Sequence, residues 1–86
     1  MPEISRFFGI VIAMYYNDHP PPHFHARYGE FEIRVEIETG DVMSGEMPKR
    51  QEGLVLEWLD LHREELMEDW ERAESRLPLF RIDPLE

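Results

Sequence analysis

At Pro48 the spacing of apolar residues changes from every second position to every third or fourth, and this divides the chain into two kinds of structure. Residues 7 to 46 read as strands and turns. The stripe Val55, Leu59, His62, Leu66, Trp70 and Ala73 then recurs at helical spacing, flanked by Leu56, Trp58 and Met67. Pro48 is tolerated in a first helical turn and Pro78 ends the pattern. A continuous helix over about 48–75 would approach about 40 Å at 1.5 Å per residue, long for so short a chain. A break near Asp60-Leu61-His62, giving two helices, is a serious alternative that periodicity does not exclude.

Within the first part, one pairing organises the rest. A two-residue turn at Gly29-Glu30, with Gly supplying a positive φ, places Tyr28 opposite Phe31, Ala26 opposite Ile33 and Phe24 opposite Val35 on one face. The other face pairs Arg27 with Glu32, His25 with Arg34 and His23 with Glu36. One register thus separates an apolar face from a charged one, as a half-buried antiparallel sheet requires. A second turn near Thr39-Gly40 sets Ile37 against Val42 and leaves Met43 on the polar face. The run Ile10 to Tyr16 is apolar on both faces and reads as a central strand, or as one whose second face meets a helix or a partner. The expected architecture is α+β: an antiparallel sheet of three or four strands, about 8–16, 23–28, 31–38 and 41–46, packed on one long or kinked helix. Residues 79–82 read as a short strand or a tail lying on the sheet.

Composition narrows what such a fold can do. The chain has 86 residues, enough for a single domain spanning 1–86, and no cysteine, which excludes disulfides, thiolate metal sites and cysteine nucleophiles. Five Phe, three Tyr and two Trp must supply much of a small core. The formal net charge of -10 disfavours nucleic acid as the primary partner and favours a basic protein partner, while the small core makes a homodimer another way to bury surface. No apolar run approaches the roughly 20 residues of a membrane span, and the opening residues lack the pattern of a signal peptide, so a cytoplasmic location is expected.

Chemistry concentrates in Asp18-His19-Pro20-Pro21-Pro22-His23-Phe24-His25, which holds three of the four histidines. His23 and His25 point to the same side of a strand with about 7 Å between their backbones. Two such imidazoles can share a divalent metal such as zinc, with His19 as a third ligand and Asp18 or Glu36 supplying oxygen. Alternatively His19, His23 or His25 act as acid and base in a nuclease-like phosphodiester hydrolase, with Arg27 or Arg34 on the phosphate and Tyr28 as proton donor. Against this set, Tyr28 falls on the opposite face from the histidines. A third reading is structural: Asp18 caps the turn and the imidazoles bond backbone that the prolines leave unpaired. Tyr15, Met43 and Trp58 are candidate partner contacts, although a tryptophan on an apolar stripe is more often core.

The chain resembles a bacterial family of domains of unknown function, numbered 4160, over nearly its full length. The resemblance rests on Ile4-Ser5-Arg6-Phe7-Phe8-Gly9-Ile10-Val11-Ile12, on Tyr16-Asn17-Asp18-His19 and on Pro21-Pro22-His23-Phe24-His25-Ala26-x-Tyr28-Gly29. Ile37-x-Thr39-Gly40, Pro48, Trp58 and Glu64-Glu65-Leu66-x-x-x-Trp70 also match. It implies a small stand-alone protein, sometimes associated with toxin–antitoxin-like pairs through neighbouring genes, and it carries over no catalytic set. The leading expectation is a small interaction or regulatory protein, with the hydrolase and the metal-binding protein as alternatives, so enzymatic activity stays open.

Overall fold

Five strands, β1 (Glu3–Phe7), β2 (Ile10–Ala13), β3 (His23–Tyr28), β4 (Phe31–Glu36) and β5 (Val42–Glu46), precede one helix, α1 (Lys49–Glu74), in a computed structural model that describes residues 2–86. The strands form one antiparallel sheet in chain order. Between β3 and β4 all six expected pairs occur, from His23 with Glu36 to Tyr28 with Phe31. Phe24, Ala26, Ile33 and Val35 are fully buried and join Ile4, Ile10 and Ile12 in a single core with Val55, Trp58, Leu59 and Leu66 of α1.

The sheet has five strands rather than three or four because residues 3–7 form a strand of their own ahead of the segment expected as one strand over 8–16, of which only 10–13 is strand. Phe8 and Gly9 both adopt positive φ, 50° and 79°, and turn the chain between β1 and β2. Phenylalanine is a rare occupant of that region, so the residues carry no ordinary turn signal. The second hairpin also differs from expectation: Val42 pairs with Val35, and the register shifts between Arg34 and Val35. Ile37 instead lies beyond β4, where its N–H donates to the Pro22 carbonyl at 3.0 Å and its side chain is fully buried.

The helix bends at His62, whose φ of -128° and ψ of 25° are non-helical, within the segment where a break was the alternative. Next to the bend, Arg63 Nε donates to the Ile37 carbonyl at 2.8 Å and ties α1 to the sheet. Among the described residues no helix is long and apolar enough to cross a membrane.

Residues 79–82 form no strand but part of an extended tail. The Ile82 N–H donates to the Ile4 carbonyl at 2.8 Å, the Asp83 carbonyl accepts from Trp58 Nε1 at 2.8 Å, and Ile82 and Leu85 are buried. Asp69 holds the same tail, accepting the Phe80 N–H at 2.9 Å through Oδ1, while its buried Oδ2 has no hydrogen-bond partner among the described residues. Burial raises this carboxyl above its ordinary 3.8, helped by the charges of Glu68 and Glu65; the Phe80 N–H and Arg72 oppose but do not cancel the rise.

A pH-dependent stability follows from that shift. The folded state keeps the Asp69 proton over an interval in which the unfolded chain has lost it, so the contribution of Asp69 declines as pH rises from 3.8 through the folded value. Asp69→Asn keeps an oxygen for Phe80 and cannot ionise. Its stability relative to wild type should therefore improve with rising pH across that interval, as read by urea unfolding at acid and neutral pH. Parallel stability curves for the two proteins would show that Asp69 does not titrate as described.

Candidate functional site

The site is built where the chain doubles back between β2 and β3. Asn17, at φ 64°, turns the backbone after Tyr16, and the proline run that follows delivers His23 to the start of β3. Strand alternation then sets His23 and His25 on the same side. The turn brings Asp18 to both: Oδ2 lies 3.1 Å from His23 Nε2 and 3.2 Å from His25 Nε2.

The far nitrogen of each ring is also held. His23 Nδ1 lies 2.8 Å from the Pro21 carbonyl oxygen. A carbonyl only accepts, so Nδ1 carries the proton. His25 Nδ1 lies 3.1 Å from Glu32 Oε2, again an acceptor. With both Nδ1 atoms protonated, both Nε2 atoms of neutral rings aim lone pairs at a carboxylate oxygen. That meeting of three lone-pair donors is satisfied either by a proton on each Nε2 or by one cation among them. Two imidazolium rings with centroids 5.4 Å apart would repel each other, whereas a single divalent ion serves all three groups.

The surroundings keep Asp18 ionised. Partial burial pushes its carboxyl up, but the His25 hydrogen bond, the charge that His23 and His25 carry when protonated, and the His19 backbone N–H outweigh burial and hold it below its ordinary value. The His23 side chain is 2 % exposed and packs on Trp70 at 5.3 Å between ring centroids, forming a rigid back wall. His25 and Asp18 are more open, at 13 % and 24 %. Tyr15 and His25 meet in a T-shaped arrangement at 4.5 Å between centroids.

As a metal site the cluster has the right donors: two imidazoles and a carboxylate, all within 4.8 Å of one another. Two of the three donor separations, 3.1 and 3.2 Å, are close to the edge of a tetrahedral zinc site, about 3.3 Å for bonds near 2.0 Å. Ligating histidines almost always donate their other N–H to a carbonyl or carboxylate, which fixes the ring and raises its basicity. Pro21 and Glu32 occupy those positions here.

The other candidates are not gathered with these three. The His19 side chain is exposed and outside the group. Glu36 pairs with His23 across the sheet but is likewise outside it. Tyr28 packs against the core, and Arg34 Nε donates to Ser44 Oγ at 2.8 Å. Of the set considered for hydrolysis, His23 and His25 thus meet at Asp18, Arg34 stands across from His25 with its Nε on Ser44, Tyr28 packs against the core and His19 is exposed. Of the candidate partner contacts, Trp58 is fully buried in the core, Met43 is half-buried in β5, and Tyr15 stands beside His25.

Glu32 and Trp70 were missed as parts of the site. Glu32 was legible as Arg27's cross-strand partner, from which it lies diagonal to His25 on the same face, within reach of a long side chain. Trp70 carried no such signal, since only the packing of α1 brings it to His23.

A family model described as a domain of unknown function (DUF4160) matches residues 9–71, a span that contains Asp18, His23, His25, Glu32 and Trp70. No curated protein and no solved structure matches the chain.

Proposed function

Since the chain belongs to the DUF4160 family, a domain of unknown function, we propose its role from the site itself: a small regulatory protein whose working element is a zinc-type divalent metal centre on Asp18, His23 and His25. One observation carries this reading. Both imidazoles are anchored through Nδ1, by the Pro21 carbonyl and the Glu32 carboxylate, and both turn Nε2 to the same Asp18 oxygen. Side chains that merely filled a turn would have no need of two separately fixed tautomers. The bound ion would supply positive charge and Lewis acidity; the chain supplies the rigid imidazole of His23 and a more open side at His25 and Asp18.

Elemental analysis of the purified protein tests it. Close to one divalent ion per chain is expected, with loss of the metal in His23→Ala and His25→Ala and its retention in His19→Ala. Glu32→Gln, which weakens the hold on His25 Nδ1, should lower zinc affinity by about 10- to 100-fold. Protein that carries no metal, takes up none on titration with zinc and shows no rise in melting temperature would refute the assignment.

A protein partner is a second reading, supported by the net charge of -10 and by exposed Phe8 and Phe31 near the two hairpin turns at one end of the sheet. A basic polypeptide, such as the other member of a toxin–antitoxin-like pair, fits that charge. Co-expression with the product of the neighbouring gene, followed by sizing, should give a stable complex; two species that run separately at micromolar concentration would count against it.

A further inference from the structure

Resting on the metal reading above, we infer that the ion bound by Asp18, His23 and His25 keeps one coordination position open to solvent and takes there a single anionic oxygen group, a carboxylate or a phosphate. Structural zinc sites close with four protein ligands, whereas three protein ligands leave a place for water or an exogenous donor. Among the described residues the group holds three donors. Glu32 and the Pro21 carbonyl are already engaged: they hold the Nδ1 side of each ring, away from the Nε2 atoms that face Asp18.

Burial decides where the free position lies. His23, 2 % exposed against Trp70, closes the back of the site, so access is from the side of Asp18 and His25. Charge decides what enters. A divalent ion with one ligating carboxylate and two neutral imidazoles keeps a net charge of about +1 and favours an anion over a neutral ligand.

Cobalt(II), whose visible absorption reports coordination, is the probe. The full-length protein loaded with cobalt(II) should show absorption bands that shift and saturate as sodium acetate or inorganic phosphate is added, and His19→Ala should behave like wild type. A response to acetate alone marks a carboxylate ligand and a response to phosphate alone a phosphate ligand, and either supports the open position. If cobalt(II) binds stoichiometrically but neither anion alters the spectrum, the open position is refuted while the metal site stands. A spectrum that responds only in His19→Ala also refutes it, because His19 would then be closing the site. Failure to bind cobalt(II) or zinc removes both the inference and the reading beneath it.

Discussion

Trp58→Ala should unfold this protein or bring it close to unfolding. The side chain is fully buried and meets Phe7 and Phe24 at 5.4 and 5.9 Å between ring centroids, with His62 at 5.5 Å. Its Nε1–H also holds the tail through the Asp83 carbonyl. Truncating a core tryptophan to alanine costs about 3–5 kcal/mol, as lost transfer free energy and a cavity that the surroundings only partly fill. At about 0.05–0.15 kcal/mol per residue, a domain of this length has a total of the same order to about three times as much. Urea unfolding and near-ultraviolet circular dichroism should show a lost or strongly shifted transition. A loss below about 1 kcal/mol would mean that Trp58 is not the centre of the core. Leu61→Ala, at a position 64 % exposed, should change little and serves as the control.

Gly45→Ala should be the most damaging of the glycine substitutions. Gly45 sits in β5 at φ 84°, opposite Ile33, where a side chain is strained whatever the space. A Cβ built there would lie 2.0 Å from the Glu32 carbonyl oxygen and 3.2 Å from Ile33 Cα, both backbone atoms of β4 that no rotamer change can move. Strain and overpacking together should cost about 2 kcal/mol or more. The displaced backbone is that of Glu32, so His25 should lose part of its support and zinc affinity should fall along with stability. Gly53→Ala is the informative contrast, since a Cβ there meets nothing within 4 Å inside α1. It should gain about 0.4–1 kcal/mol by restricting the unfolded chain. Equal effects from the two substitutions would contradict the close approach of β5 to β4.

How far the residues disclose this protein differs from one element to the next. The pairing of β3 with β4 is local and joined by a two-residue turn, so alternation alone settles which side chains face the core. His23 and His25 share a side for the same reason. In α1, the stripe of Val55, Leu59, Leu66, Trp70 and Ala73 is buried as its spacing requires. The β1–β2 hairpin was hidden because Phe8 and Gly9 turn without the residues that usually mark such a turn, just ahead of a run apolar on both faces. The partner of Val42 was misassigned because a register shift changes the count between two strands without leaving a trace in hydrophobicity.

By itself the amino-acid order determined the change from sheet to helix, the apolar and polar sides of the central hairpin, and the crowding of histidines next to a carboxylate. Those properties follow from short-range periodicity and from residues adjacent along the chain. Tertiary structure decided that Asp18 rather than His19 faces both imidazoles, that Glu32 and the Pro21 carbonyl fix their tautomers, and that Trp70 walls in His23. It also laid the tail across Trp58 and β1. These contacts depend on the path of a proline-rich loop and the bend of a helix, and hydrophobic spacing encodes neither.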